Sequence, residues 1–130
     1  MRREYRVAGL PEPISHYTDA VRFGDLLFVS GVAPLDEQGR VVGGGDAAAQ
    51  TRQVLLNLEK ILNAAGAGFA DVLKVTVYLT DIDDRARINS VRAEFFGAAR
   101  PASTLVEVSA LAIPGMKVEI EAVAGMPARA

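Results

Sequence analysis

The chain has 130 residues, half of them apolar, no cysteine and a formal net charge of −2. That length and apolar share fit one compact domain, residues 1–130, with a sizeable core and no room for a second. The missing cysteines exclude a disulfide scaffold, a thiolate metal site and a thiol nucleophile, and no basic run longer than Arg2-Arg3 provides the footprint of a nucleic-acid binder.

Met1 to Val7 alternates charges instead of placing a basic head before an apolar run, and no apolar stretch reaches membrane-spanning length. A cytoplasmic, unprocessed protein with no membrane association is expected. Glu4 to Val7 reads as a first strand, ended by the prolines of Ala8 to Pro13, after which Ile14-Ser15-His16-Tyr17 forms a loop. Ala20 to Phe23 and Leu26 to Ser30 flank Gly24-Asp25 as a tight hairpin, because glycine supplies the positive φ of a two-residue turn. A glycine-rich connection, Gly31 to Gly45, leads to Asp46, an N-cap for a helix from Ala47 that Gly66 ends. Its Thr51, Val54, Leu55, Leu58, Ile61, Leu62 and Ala65 recur at helical spacing and predict one buried face.

Leu73, Val75, Val77 and Leu79 alternate with Lys74, Thr76, Tyr78 and Thr80, the period of a strand with one core face. Asp81 to Asp84 suit the start of a second helix with an Ile88, Val91 and Phe95 stripe, closed by Gly97. Arg100 to Val108 turns at Pro101 and enters a strand over Leu105 to Val108; Pro114-Gly115 is a turn, and Met116 to Ala124 is the last strand, with a frayed tail from Gly125. The order βββ-α-β-α-ββ predicts an α+β fold, a mixed sheet with two helices packed on one face. The other face carries Lys74, Thr76, Tyr78, Glu119 and Glu121, a mixed surface that oligomerisation completes.

Set in this order, four strings carry a resemblance: Ala20-Val21-Arg22-Phe23-Gly24-Asp25-Leu26-Leu27-Phe28-Val29-Ser30-Gly31; Gln50-Thr51-Arg52-Gln53-Val54-Leu55-Leu56-Asn57-Leu58; Pro101-Ala102 followed by Val106-Glu107-Val108; and Glu119-Ile120-Glu121-Ala122. Over nearly its whole length the chain resembles the Rid family (reactive intermediate deaminases, also called the YjgF family). The resemblance implies a chorismate-mutase-like fold and a homotrimer with small-molecule clefts between subunits. It implies hydrolysis of small enamines and imines to carbonyl compounds and ammonia, with no metal and no organic cofactor. Carried over by position, the pocket matches Tyr17, Ser30, Gly31, Asn89 and Glu119. Active members have Pro-Ala-Arg at the last strand entry but one, where the arginine grips a substrate carboxylate; here that position is Ser103. One hydroxyl forfeits charge-assisted hydrogen bonds of about 1.5–3 kcal/mol. The sequence leaves open whether Arg52, Arg92 or Arg100, from the same or a neighbouring subunit, reaches the cleft to stand in for it.

Each candidate residue has a functional and a structural reading. Glu119 suits proton transfer, since imine hydrolysis deprotonates attacking water and protonates departing nitrogen; by spacing alone it is a solvated position on a sheet face, like Glu121. His16, the sole histidine, is either the missing cation or a surface loop residue, and Tyr17 lines a pocket or buries its ring against a neighbouring subunit. Ser30 fits a local backbone bond better than a nucleophile, with no base beside it. Ser103, Thr104 and the Gly31 amide would hold polar groups of a substrate, and Leu105 and Tyr17 would wall the cleft. Gly43-Gly44-Gly45-Asp46 lacks the Lys-Ser/Thr of a phosphate loop, and Asp81, Asp83 and Asp84 read as helix-start acids instead of metal ligands. Two functions remain: a cofactor-free hydrolase of the enamine/imine deaminase type with altered substrate recognition, and a catalytically silent trimeric binding or protein-interaction module. Ribonuclease activity fits poorly with the acidic balance.

Overall fold

The computed structural model describes residues 1–128. Six strands, β1 (Arg2–Tyr5), β2 (Ala20–Phe23), β3 (Leu26–Val32), β4 (Val72–Leu79), β5 (Ala102–Glu107) and β6 (Val118–Gly125), form one sheet ordered β1-β2-β3-β6-β4-β5. Only β4 and β5 run parallel, so the sheet is mixed, and the crossover between them is the second of two helices, α1 (Ala47–Ala65) and α2 (Arg85–Phe96). This is the expected α+β architecture and element order.

Local chemistry accounts for the element ends. Gly24, at φ +59, takes the first position of the two-residue turn that pairs Phe23 with Leu26, where a mirror-image turn needs glycine. The Asp46 carboxylate accepts from the amides of Ala48 and Ala49, filling two of the helix's open donors. At the other end the Gly66 N–H donates to Asn63 O (3.0 Å) and the Ala67 N–H to Leu62 O (2.8 Å) around a left-handed glycine, a Schellman closure. The helix between them buries Val54, Leu55, Leu58, Ile61 and Leu62 against Val29, Val75, Val77, Ile120 and Ala122 of the sheet. At about 1.5–3 kcal/mol for each large apolar side chain, this layer is the main stabilising contact of the fold.

The structure moves several sequence expectations. The first strand is Arg2–Tyr5, not Glu4 to Val7, because the Val7 amide donates to Asp19 Oδ2 (2.7 Å) and Arg6 pairs with the same carboxylate (2.7 Å), drawing the chain out of the sheet. Leu73 is 52% exposed: the β4–β6 register shifts between Val72 and Lys74, Val72 takes the inward place, and Leu73 lies over Gly125. A bulge breaks the period of two on which the expectation rested. In α2, Phe96 is buried while Phe95 is half-buried, both packing edge-on against Phe69. Pairing with β4 begins β5 at Ala102, three residues before the expected Leu105. The last strand runs Val118–Gly125 instead of Met116 to Ala124, and Met126 donates to Asp25 O (2.8 Å), so the chain is held one residue past the strand where a frayed tail was expected. Residues 129 and 130 of that tail lie outside the described residues.

Both helices lie on the sheet face of Val75, Val77 and Ile120. The opposite face is bare and more apolar than its alternating polar residues imply: Phe23, Leu26, Phe28, Leu73 and Val106 are all exposed on it beside Lys74, Thr76, Tyr78 and Glu121. Among the described residues no helix is long and apolar enough to cross a membrane.

Candidate functional site

Two polar clusters contain the residues singled out by sequence, His16 excepted. The first is a cleft of about 300 Å³ at the end of β3, lined by Tyr17, Ser30, Gly31, Ile113, Met116 and Glu119 among others. Two buried side chains of α1, two turns apart, hold the loops that border it. Gln50 donates to Gly115 O (2.9 Å) and accepts from the Lys117 amide (2.7 Å), fixing the loop that carries Met116 into β6. Asn57 donates to Ala33 O (3.1 Å) and Leu35 O (3.0 Å), fixing the chain that leaves β3.

Within the cleft, Glu119 lies on the uncovered face of β6 opposite Tyr78, half-buried. Its carboxylate makes no hydrogen bond or ion pair among the described residues. Burial raises its pKa first, and the charge of Glu121 raises it further, both disfavouring the ionised form. Glu121 itself accepts a hydrogen bond from the Tyr78 hydroxyl. The β3–β6 ladder shifts between Val29 and Val32, making Ser30-Gly31 a bulge, and a Cβ at Gly31 would sit 2.8 Å from Glu119 Oε2. A Cβ there would push the flexible carboxyl end of Glu119 aside, so Gly31 leaves the room that the carboxylate occupies, a role beyond the backbone amide expected of it. Ser30 donates its hydroxyl proton to Thr18 O, the local bond expected of it, and keeps acceptor capacity toward the cleft. Tyr17 lines the cleft, its hydroxyl accepting from the Ile14 amide at 3.4 Å. His16 faces the adjoining depression with Arg2, Glu4 and Thr18 instead.

The second cluster lies across the sheet. Parallel pairing sets Ser103 beside Val75 and Leu105 beside Val77, so both side chains face the helices, where Leu105 packs half-buried against the core. Ser103 accepts a hydrogen bond from Arg92 Nη2 of α2 at 2.9 Å. Asn89 stands one turn before Arg92 and is exposed. Thr104 emerges on the other face, where Lys74 donates to it at 2.6 Å; the adjacent hydroxyls of Ser103 and Thr104 thus serve opposite sides of the sheet. Of the other arginines considered, Arg52 is engaged by Glu94 (2.9 Å) and lies over Phe95, while Arg100 is exposed. Glu119 and Ser103 are on opposite faces and separated by β4, so one chain does not bring the two clusters together.

Among the described residues no three His, Cys, Asp or Glu side chains are grouped to hold a metal. Asp81 accepts from the Asp83 amide (2.9 Å), and Asp84 is buried beside Arg87 (3.4 Å) and Lys117 (4.0 Å), which gives these acids structural work at the start of α2.

A family model described as endoribonuclease L-PSP matches residues 8–126. A crystal structure of a conserved Rid-family protein from Yersinia pestis superposes with a TM-score of 0.91 at 34% identity, covering 97% of this chain and all of that one. The chain belongs to the Rid/YjgF family. A RutC family protein of Pyrococcus horikoshii is 47% identical over 114 residues, 88% of this chain and 90% of its own. The 3-aminoacrylate deaminase RutC of Acinetobacter baylyi is 43% identical over 116 residues, 89% of this chain and 91% of its own. The family-model match spans both clusters, from Tyr17 to Glu119. Sequence reasoning missed Gln50 and Asn57 as the residues that shape the cleft; their signal was polar side chains at helical spacing within a buried apolar face.

Proposed function

We propose that this Rid-family chain is a cofactor-free hydrolase of small enamines or imines, acting in clefts between the subunits of a homotrimer. The observation that carries this reading is the carboxylate of Glu119, half-buried in a cleft with no ion-pair partner among the described residues. Such a group keeps its proton to higher pH than a free carboxyl, a direction that suits a residue that both takes and returns a proton. As water adds to the C=N carbon, the Glu119 carboxylate takes a proton from it and passes that proton to the nitrogen, giving a tetrahedral adduct with an amine and a hydroxyl on one carbon. Glu119 then takes the adduct's hydroxyl proton and returns it to the amine nitrogen as the C–N bond breaks, releasing a carbonyl compound and ammonia. Ser30, the Gly31 amide and Tyr17 orient the substrate from the Glu119 side, and Asn89, Ser103 and Leu105 from the other. The likeness to a protein named 3-aminoacrylate deaminase supports this class of substrate. The bare face bearing Phe23, Leu26 and Phe28 supports association of copies.

Imines generated in solution from a panel of amino acids test the reading. The parent should speed their breakdown, and Glu119→Gln should lose that activity while keeping its assembly. Silence of the parent across the panel would sink the hydrolase. The second reading, a silent binding trimer, is favoured by Ser103 standing where the family resemblance implies a carboxylate-gripping arginine, and that silent outcome would select it.

A further inference from the structure

The connection from β1 to β2 runs over residues 6–19, and its first and last residues pair: Arg6 Nη1 donates to Asp19 Oδ2 at 2.7 Å. The same carboxylate oxygen accepts from the Val7 amide at 2.7 Å, and the Asp19 side chain is only 11% exposed. A buried charge without its partner is costly, so the pair closes the neck of the loop. Fixed there, the guanidinium turns its remaining donors into the loop. Nη1 also reaches Val7 O (3.0 Å), and Nη2 reaches Pro11 O (2.8 Å) and Leu10 O (3.3 Å). Pro11 and Pro13 carry no N–H with which to join a strand, so a side chain does for this segment what a ladder does elsewhere. Lys60 of α1 adds one bond, to Gly9 O (3.1 Å), and Glu12 meets Arg6 at 3.5 Å in the solvent.

The inner side of this loop is a wall of the Glu119 cleft. A crevice of about 60 Å³ runs beneath Leu10, Pro11 and Ile14 and shares Tyr17, Ser30 and Gly31 with the cleft. A space therefore separates the loop from the end of β3, and its place is set from the neck. The neck also reaches β3 directly: Asp19 O accepts from the Ser30 amide (3.0 Å), and Thr18 O accepts from the Ser30 hydroxyl. Arg6 touches neither Glu119 nor the cleft, yet the two loop residues that line it, Ile14 and Tyr17, lie within the segment that it ties.

We propose that Arg6 is a positioning residue for the cleft: clamped by Asp19 at the neck of the β1–β2 loop, it sets where Ile14, Tyr17 and Ser30 stand, and so how tightly a ligand is held. Its effect on turnover rests on the hydrolase reading above, whereas the clamp rests on the hydrogen bonds of residues 6–19.

Amide hydrogen exchange read by NMR, together with steady-state kinetics on the imine panel, tests this. Arg6→Lys keeps a charge for Asp19 but loses the fork that spans to the Leu10 and Pro11 carbonyls. Exchange at the hydrogen-bonded amides of Val7, Tyr17, Asp19 and Ser30 should speed about 10-fold or more, with β4 and β6 as protected as in the parent. KM should rise several-fold with kcat nearly constant, and the acid limb of the pH profile should stay in place because Glu119 keeps its surroundings. Asp19→Asn, which keeps an acceptor for Val7 and removes the counter-charge, should speed exchange at Tyr17 and Ser30 in the same way, and it decides the matter if Arg6→Lys does not fold. Unchanged exchange at these amides, faster exchange spread evenly over the sheet, or a loosened loop with unaltered KM would overturn the assignment. A parent that hydrolyses no imine would remove the hydrolase and leave the exchange at Tyr17 and Ser30 to decide the clamp; hydrolysis with exchange indifferent to Arg6 would do the reverse.

Discussion

Glu119 holds its proton for two causes that act in one direction, desolvation first and the neighbouring Glu121 charge second. If the carboxylate form takes the proton from water, the rate rises with pH through this raised pKa, so the acid limb lies at higher pH than an unperturbed glutamate would give. Replacing Glu121 with Gln removes a negative charge, makes Glu119 easier to ionise, and should move the acid limb to lower pH in a kcat/KM profile. The shift should be partial, because the desolvation remains. An unmoved limb would mean that another group controls it. The same sign governs stability: a carboxyl whose folded pKa is raised contributes most at low pH and loses that contribution as pH rises through its folded value. The Glu119→Gln protein should therefore match or exceed the parent in stability at neutral pH. From spacing, Glu119 and Glu121 were indistinguishable, since both face away from the core on one strand. What separates them is a glycine in a neighbouring strand, a contact between residues 31 and 119 that no local pattern encodes.

At the scale of elements, α1 joins core to cleft. Its apolar residues were legible from their spacing, as were its two ends. Gln50 and Asn57 were not, because a hydrophobic period counts apolar positions and treats a polar one as facing solvent. Both are buried, and each satisfies two backbone groups of a loop. Gln50→Ala leaves Gly115 O and the Lys117 N–H without their partner, and should cost about 1–3 kcal/mol in urea denaturation. A Leu58→Ala change in the same helix should cost more, about 2–5 kcal/mol, through the cavity it opens. Only the first should also raise KM, because only it frees the loop bearing Met116. The misplaced strand ends have a common cause: Asp19 at β1, the Val72–Lys74 bulge at β4 and the parallel partner of β5 are tertiary contacts, and they override the local alternation of side chains.

For the whole molecule, strand order explains why the site residues seemed scattered. The sequence ranked Ser103 and Thr104 together as cleft residues; the pleat sends them to opposite faces, one to Arg92 and one to Lys74. The polar alternation of the uncovered face hid its apolar content, because Phe23, Leu26 and Phe28 come from the hairpin rather than from the strands whose alternation was read. Phe28, 48% exposed, stands opposite Val123 on this face. A Phe28→Asp change places a charge there, and in sedimentation velocity at micromolar concentration it should convert a species of three times the chain mass to the monomer. A parent that is already monomeric would refute assembly through this face.

Glu119 and Ser103 leave one chain on opposite sides of its sheet, and this has a genetic consequence. If each cleft takes its Glu119 half from one subunit and its Asn89 and Ser103 half from the next, a Glu119→Gln chain and a Ser103→Trp chain, whose bulk fills its half of the cleft, are each inactive alone but repair one another when co-assembled. With random mixing of equal amounts, about a quarter of the interfaces in a cyclic assembly join two intact halves. Two dead alleles expressed together should then restore about that share of parental activity, whereas a site contained within one chain should restore none.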